Sequence, residues 1–206
     1  MDRRSPGVAQ LHWPAKRRDL KHRLIDSTVW NDFKFREGDV VIASWAKSGT
    51  TWVQQIVAQL VFDGAEGIAL SKISPWVELR LLPPQARAAL DTQTHRRFVK
   101  THLPVDALVF SQLAKFIYIG RDGRDAAWSL HNHFANYKPG RLDEINNAGG
   151  EGPLLEPTPS SVEDFYWRWF TRDGYPLWPF WEQVAVVVVG ARSAQRPIHS
   201  FQRPEG

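Results

Sequence analysis

Cysteine is absent from all 206 residues. That excludes disulfides, thiolate zinc sites and a cysteine nucleophile, and it fits a reducing, cytoplasmic setting. Long apolar runs are lacking too. The longest aliphatic stretch covers 184–189, far short of the roughly 20 residues that span a bilayer. The first residues hold no apolar segment of the kind a secretory signal needs, and no repeat of solenoid length is visible. Neither sign of charge dominates: 26 basic against 22 acidic residues give a formal charge of +4. The surplus sits near the N-terminus, in Arg3, Arg4, Lys16, Arg17, Arg18, Lys21 and Arg23. Residues 1–37 therefore read as a basic, solvated leader. The modest net charge and the lack of a nucleic-acid motif argue against nucleic-acid binding.

What is present is globular. Hydrophobic residues make up 43% and charged residues 23%, and the length suits one domain with a sizeable core. The run 39–44, Asp-Val-Val-Ile-Ala-Ser, predicts a buried parallel strand. After a polar turn, 51–62 carries Trp52, Ile56, Val57, Leu60 and Val61 at helical spacing. A short helix is expected around Trp76, Leu79 and Leu82, between the proline signals at Pro75 and Pro83. Strands are expected at 98–102 and 115–119, and a helix at 124–134. A long loop is expected at 137–160, partly helical aromatic sequence at 162–181, and a last strand at 184–189. Alternating strands and helices predict an α/β three-layer sandwich with a mostly parallel sheet over 38–190. Residues 191–206 lack periodicity and read as a disordered tail. Of the ten tryptophans, Trp167, Trp169, Trp178 and Trp181 cluster late in the chain and are expected in the core and a pocket wall.

The segment Ser44-Trp45-Ala46-Lys47-Ser48-Gly49-Thr50-Thr51-Trp52 joins the first strand to the first helix. At that junction the helix N-terminus presents unpaired N–H groups to an anion. Gly49 lets the backbone approach closely. Lys47 adds a charge, and Ser48, Thr50 and Thr51 add hydroxyl donors. The lysine precedes the glycine, so this is not the loop of nucleotide triphosphatases.

The string Lys47–Trp52 resembles the phosphosulfate loop of the cytosolic-type sulfotransferases that use 3′-phosphoadenosine 5′-phosphosulfate (PAPS), with Trp45-Ala46 in place of the family's Tyr-Pro. Two further strings follow in the family's order. Lys100-Thr101-His102-Leu103-Pro104 is similar to its strand-end motif with the catalytic histidine. The stretch from Tyr118 to Ser129 is similar to its 3′-phosphate motif, in which an arginine and a serine eight residues later, here Arg121 and Ser129, bind the nucleotide. The resemblance covers about residues 39–135 and implies a P-loop-like nucleotide-binding topology.

It also implies sulfuryl transfer from PAPS to a hydroxyl or amine of a small or lipid-like acceptor, without a metal. His102 would be the base, with Lys47 and Lys100 stabilising the leaving and transferring groups. Lys47, Ser48, Gly49, Thr50, Thr51, Trp52, Arg121 and Ser129 would hold the nucleotide. Trp76, Phe134, Tyr137 and the aromatics around Trp167 are expected to line the acceptor pocket, which would suit a small-molecule or glycolipid-like acceptor. The family's late Arg-Lys-Gly motif is missing, so the chain reads as C-terminally truncated. That leaves open a homo-oligomer or a completing partner chain. Two alternatives stand beside the transferase. One is an inactive nucleotide-binding or interaction remnant, favoured by the missing motif. The other is a P-loop kinase-like phosphotransferase, disfavoured by the lysine order and the lack of a clear magnesium carboxylate.

Overall fold

The computed structural model describes residues 14–185. Its elements run β1 (Asp39–Ser44), α1 (Thr50–Val61), α2 (Leu70–Ile73), α3 (Pro84–Ala88), β2 (Phe98–Thr101), β3 (Ala114–Ile119), α4 (Gly123–Ala135), α5 (Arg141–Asn147) and α6 (Val162–Thr171), with short 3-10 turns between some of them. The tail at 191–206 lies outside the described residues. So does most of the strand expected at 184–189; its first two residues close a helical segment over 180–185.

The sheet is parallel, in the order β2-β1-β3. β1 is central and buried at all six positions, which is why its sequence is a continuous apolar run rather than an alternating one. Its side chains separate by parity. Val40 and Ile42 join Phe98, Val57 and Ala58 beneath α1. Val41 joins Val99, Ala126, Leu130, Phe165 and Trp169 on the face covered by α4 and α6. Helix, sheet and helix therefore form the three expected layers.

Several local expectations change. The apolar residues of α1 do not all face inward: Trp52, Ile56 and Leu60 are exposed, whereas Val57 and Ala58 are buried. No helix forms around Trp76–Leu82. That stretch is drawn out by bridges from Leu79 to Ile25 and from Trp76 to Lys100, and these place Glu78 under the end of β2. The segment 137–160 contains α5 as well as loop. Trp169 and Trp178 are core residues, but Trp167 and Trp181 are about half exposed.

The solvated character expected of the N-terminal segment does not extend to 14–37. Leu24, Ile25 and Trp30 are buried there, and some of its cations hold protein partners, though Arg17 and Lys21 stay exposed. Arg18 pairs with Asp106 and Glu182, and Arg23 donates to the carbonyls of Asn146, Gly152 and Pro153. An aromatic group fixes the chain leaving α6. Trp45 meets Trp169 at 5.9 Å and Phe180 at 5.1 Å, and donates from Nε1 to the Trp178 carbonyl at 3.2 Å. Gly174 turns beneath it with φ of 88°; a Cβ there would lie 2.6 Å from that same carbonyl oxygen, so only glycine fits.

Candidate active site

A cleft of about 610 Å³ opens at the C-terminal ends of β1 and β2, where ligands bind in open parallel sheets. The loop 45–49 forms its floor. Lys47 and Gly49 both hold left-handed backbone, with φ of 63° and 104°. Gly49 is the cap of α1 and offers no side-chain acceptor to the helix, so the first N–H groups of α1 remain available to an anion. The Ser44 hydroxyl lies 2.7 Å from that of Thr50 and locks the strand end to the first turn of the helix. Ser48 is buried and Thr51 exposed, while Trp52 stands 78% exposed at the cleft rim.

His102 leaves β2 beside this loop. Its Nδ1–H donates to the Ser44 carbonyl at 2.9 Å. That bond selects the tautomer in which Nε2 carries the lone pair. Burial, Lys100 and Lys47 push its pKa down to about 3, so the imidazole is neutral at physiological pH. Lys100 and Lys47 also line the cleft. Burial lowers the pKa of both; Arg121 adds to the effect at Lys47, and Lys47 adds to it at Lys100. Crowded, partly desolvated cations of this kind mark a place where anionic charge is neutralised.

Arg121 follows β3 and donates to the Lys47 carbonyl at 2.9 Å, with Asp125 at 3.8 Å. Ser129 lies on α4, and both line the same cleft. Of the residues predicted from sequence, Lys47, Gly49, Thr50, Thr51, Trp52, Lys100, His102, Arg121 and Ser129 come together around this one space. Ser48 is buried and does not line it. Trp76, Phe134 and Tyr137 line the cleft as expected, and Trp167 does not. No cluster of three metal-ligating side chains occurs among the described residues, and no helix among them is long and apolar enough to cross a membrane.

Sequence reasoning missed Glu78. It is fully buried and accepts from the His102 backbone N–H at 2.7 Å, Thr101 Oγ1 at 3.0 Å, Trp30 Nε1 at 3.0 Å and Trp76 Nε1. Burial raises its pKa, against the pull of these donors. Its charge in turn favours the protonated form of Lys100. The only sequence signal was a single acid in the apolar stretch Trp76–Leu79. His133 was missed too: it lines the cleft and stands four residues after Ser129, on the same face of α4.

The sequence matches known proteins over this region. The chain is 41% identical over 127 residues to a glycolipid sulfotransferase of Mycobacterium tuberculosis, covering 61% of this chain and 39% of that protein. It is 35% identical over 130 residues to sulfotransferase 1B1 of Mus musculus, covering 55% and 42%. It thus spans about two fifths of these relatives. Among solved structures, retinol dehydratase in a complex with retinol and PAP superposes with a TM-score of 0.55 at 23% identity, covering 82% of this chain and 57% of that one. Mouse sulfotransferase SULT7A1 complexed with PAP gives 0.55 at 20%, covering 81% and 52%. These two likenesses show the shared fold. Residues 37–198 match the sulfotransferase domain, more than half of the chain, and the chain belongs to the sulfotransferase family.

Proposed function

We propose that the cleft binds PAPS and transfers its sulfuryl group to a hydroxyl of a glycolipid-like acceptor. The observation that carries this reading is the convergence of Lys47, Lys100, His102, Arg121 and Ser129 on one space at the N-terminus of α1. The loop 45–49 and α1 would hold the 5′-phosphosulfate, and Arg121 and Ser129 the 3′-phosphate. The acceptor oxygen forms a bond to sulfur as the bond from sulfur to the phosphate oxygen breaks. Nε2 of His102 takes the acceptor's proton, a role its Nδ1–Ser44 bond prepares by fixing the tautomer. Lys47 balances charge on the departing phosphate oxygen, and Lys100 the charge spread over the sulfuryl oxygens. Glu78 anchors the Thr101 hydroxyl and the His102 backbone N–H, in the two residues that follow Lys100. The glycolipid sulfotransferase relative and the apolar wall of Leu24, Trp76, Leu79 and Leu177 support an acceptor with a hydrocarbon part.

Calorimetry with 3′,5′-adenosine bisphosphate and with ATP tests the nucleotide reading. The bisphosphate should bind, and ATP more weakly. Absence of bisphosphate binding would overturn the reading, and preference for ATP with magnesium would favour a kinase. Transfer assays with His102→Ala test the base. Turnover should fall by about 10²–10⁴-fold, and undiminished turnover would remove His102 from that role.

A further inference from the structure

The far wall of the cleft carries a polar group that the transfer step does not use. Ser129, His133 and Tyr137 follow one another at intervals of four along α4 and the turn after it, and all three line the cleft. At 1.5 Å per residue, His133 lies about 6 Å beyond Ser129 along the helix. His131, two positions earlier, points elsewhere: it is buried, with Nε2 3.0 Å from the Pro159 carbonyl. The His133 ring rests edge-on against Tyr137 at 5.2 Å and Phe134 at 5.9 Å. Among the described residues no protein group hydrogen-bonds its imidazole. It faces Lys47 and Lys100, and burial together with those two charges holds its pKa down to about 4.

We infer that His133 is the specificity-determining residue of the acceptor end, hydrogen-bonding a hydroxyl adjacent to the reacting one and so selecting a polyhydroxylated, sugar-like headgroup over an acceptor with a single hydroxyl. The inference rests on the acceptor chemistry proposed above. A neutral imidazole offers one donor and one acceptor nitrogen, which complements a hydroxyl that can also do both. A lone alcohol would spend its only hydroxyl on His102. A sugar has a neighbouring hydroxyl to give His133, while its C–H face packs on Trp76 and its hydrocarbon tail on Leu24, Leu79 and Leu177, all of them lining residues. His133 is exposed to solvent in the open cleft, so water serves its imidazole there; an acceptor that displaces that water without offering a hydroxyl leaves the ring unpaired and is disfavoured.

The test compares octyl β-glucoside, below its micellar concentration, with octan-1-ol, both titrated calorimetrically into the full chain. Each titration is run with and without saturating 3′,5′-adenosine bisphosphate. The wild type should bind the glucoside at least ten-fold more tightly than the alcohol. His133→Phe should erase most of that margin, and His133→Asn, which keeps a donor and an acceptor, should restore part of it. The inference is overturned if the wild type shows no margin, if His133→Phe keeps it, or if His133→Phe weakens both probes alike. The bisphosphate titration is a separate measurement on the same samples, so failure of the nucleotide reading is seen independently of the glucoside margin.

Discussion

The Arg121 guanidinium is bonded to the Lys47 carbonyl, 74 positions earlier in the chain, at 2.9 Å. Lys47 holds φ of 63°, a left-handed backbone that costs a non-glycine residue roughly 1–2 kcal/mol. The bond from Arg121 stabilises the carbonyl orientation that this backbone imposes. Arg121 thus shapes the anion loop and also stands in the cleft beside it. The two tasks share one side chain, so the loop's geometry and the proposed 3′-phosphate contact fail together.

Arg121→Ala should therefore weaken 3′,5′-adenosine bisphosphate binding by about ten- to a hundred-fold, the range expected for a lost charge-assisted bond worth 1.5–3 kcal/mol. Arg121→Lys should recover little of it, since an ammonium cannot reproduce the planar fork of a guanidinium. Calorimetric affinities in low and moderate salt read this directly. Affinity in Arg121→Ala equal to wild type would remove the residue from the site.

His102 should stay neutral far below the ordinary histidine range. With its pKa near 3, held down by burial, Lys100 and Lys47, its imidazole resonances should not titrate between pH 5 and 8. His102→Gln identifies them by difference. Lys100→Met removes one of the two opposing charges, so the His102 titration should move upward. The sign follows from a like charge disfavouring the protonated ring. Binding of a dianionic nucleotide should move it in the same direction. An ordinary titration near pH 6.5 in the wild type would show that His102 is not buried between the lysines.

Glu78 gives the sharpest stability test. Glu78→Ala strands the N–H or O–H donors of Trp30, Trp76, Thr101 and His102 and removes the anion near Lys100. Leaving such groups unpaired in the interior costs about 3–5 kcal/mol. For a chain of this size that is a fall in Tm on the order of 10 °C. Glu78→Gln keeps one acceptor oxygen and should lose less. Thermal unfolding followed by circular dichroism measures both, and a fall of only one or two degrees in the alanine variant would contradict the placement of Glu78.

The strand-loop-helix unit and the placing of Arg121 and Ser129 at one cleft were legible because each is local. A buried apolar run, a tight loop and a helix start follow one another within 39–61, and Arg121, just after β3, stands eight positions before Ser129 on α4. Glu78 was not legible. Its role depends on bridges that join Leu79 to Ile25 and Trp76 to Lys100, pairings between distant segments that leave no periodicity. The N-terminal cations were misjudged for a related reason. Arg18 and Arg23 look solvated in a basic stretch, yet each finds its partner elsewhere in the fold: Arg18 at Asp106, Arg23 at Gly152. The exposed face of α1 misled in the opposite sense, since helical spacing alone cannot say which apolar stripe the sheet covers.

His22 predicts how the fold responds to acid. It is buried, accepts from the Leu24 N–H at Nδ1 and bonds the Pro176 backbone; burial lowers its pKa to about 4. In the unfolded chain it protonates near 6.5. Between those values the unfolded state holds one more proton than the folded state, so stability is complete above pH 6.5 and declines as pH falls towards 4. From pH 7 to pH 5 this one residue should contribute a loss of about 2 kcal/mol. His102 adds to the loss in the same direction. His22→Gln has no proton to gain, so its Tm should fall by several degrees less than that of the wild type over the same interval. Equal acid slopes in the two proteins would show that His22 is already protonated in the fold, against the geometry in which Nδ1 is an acceptor.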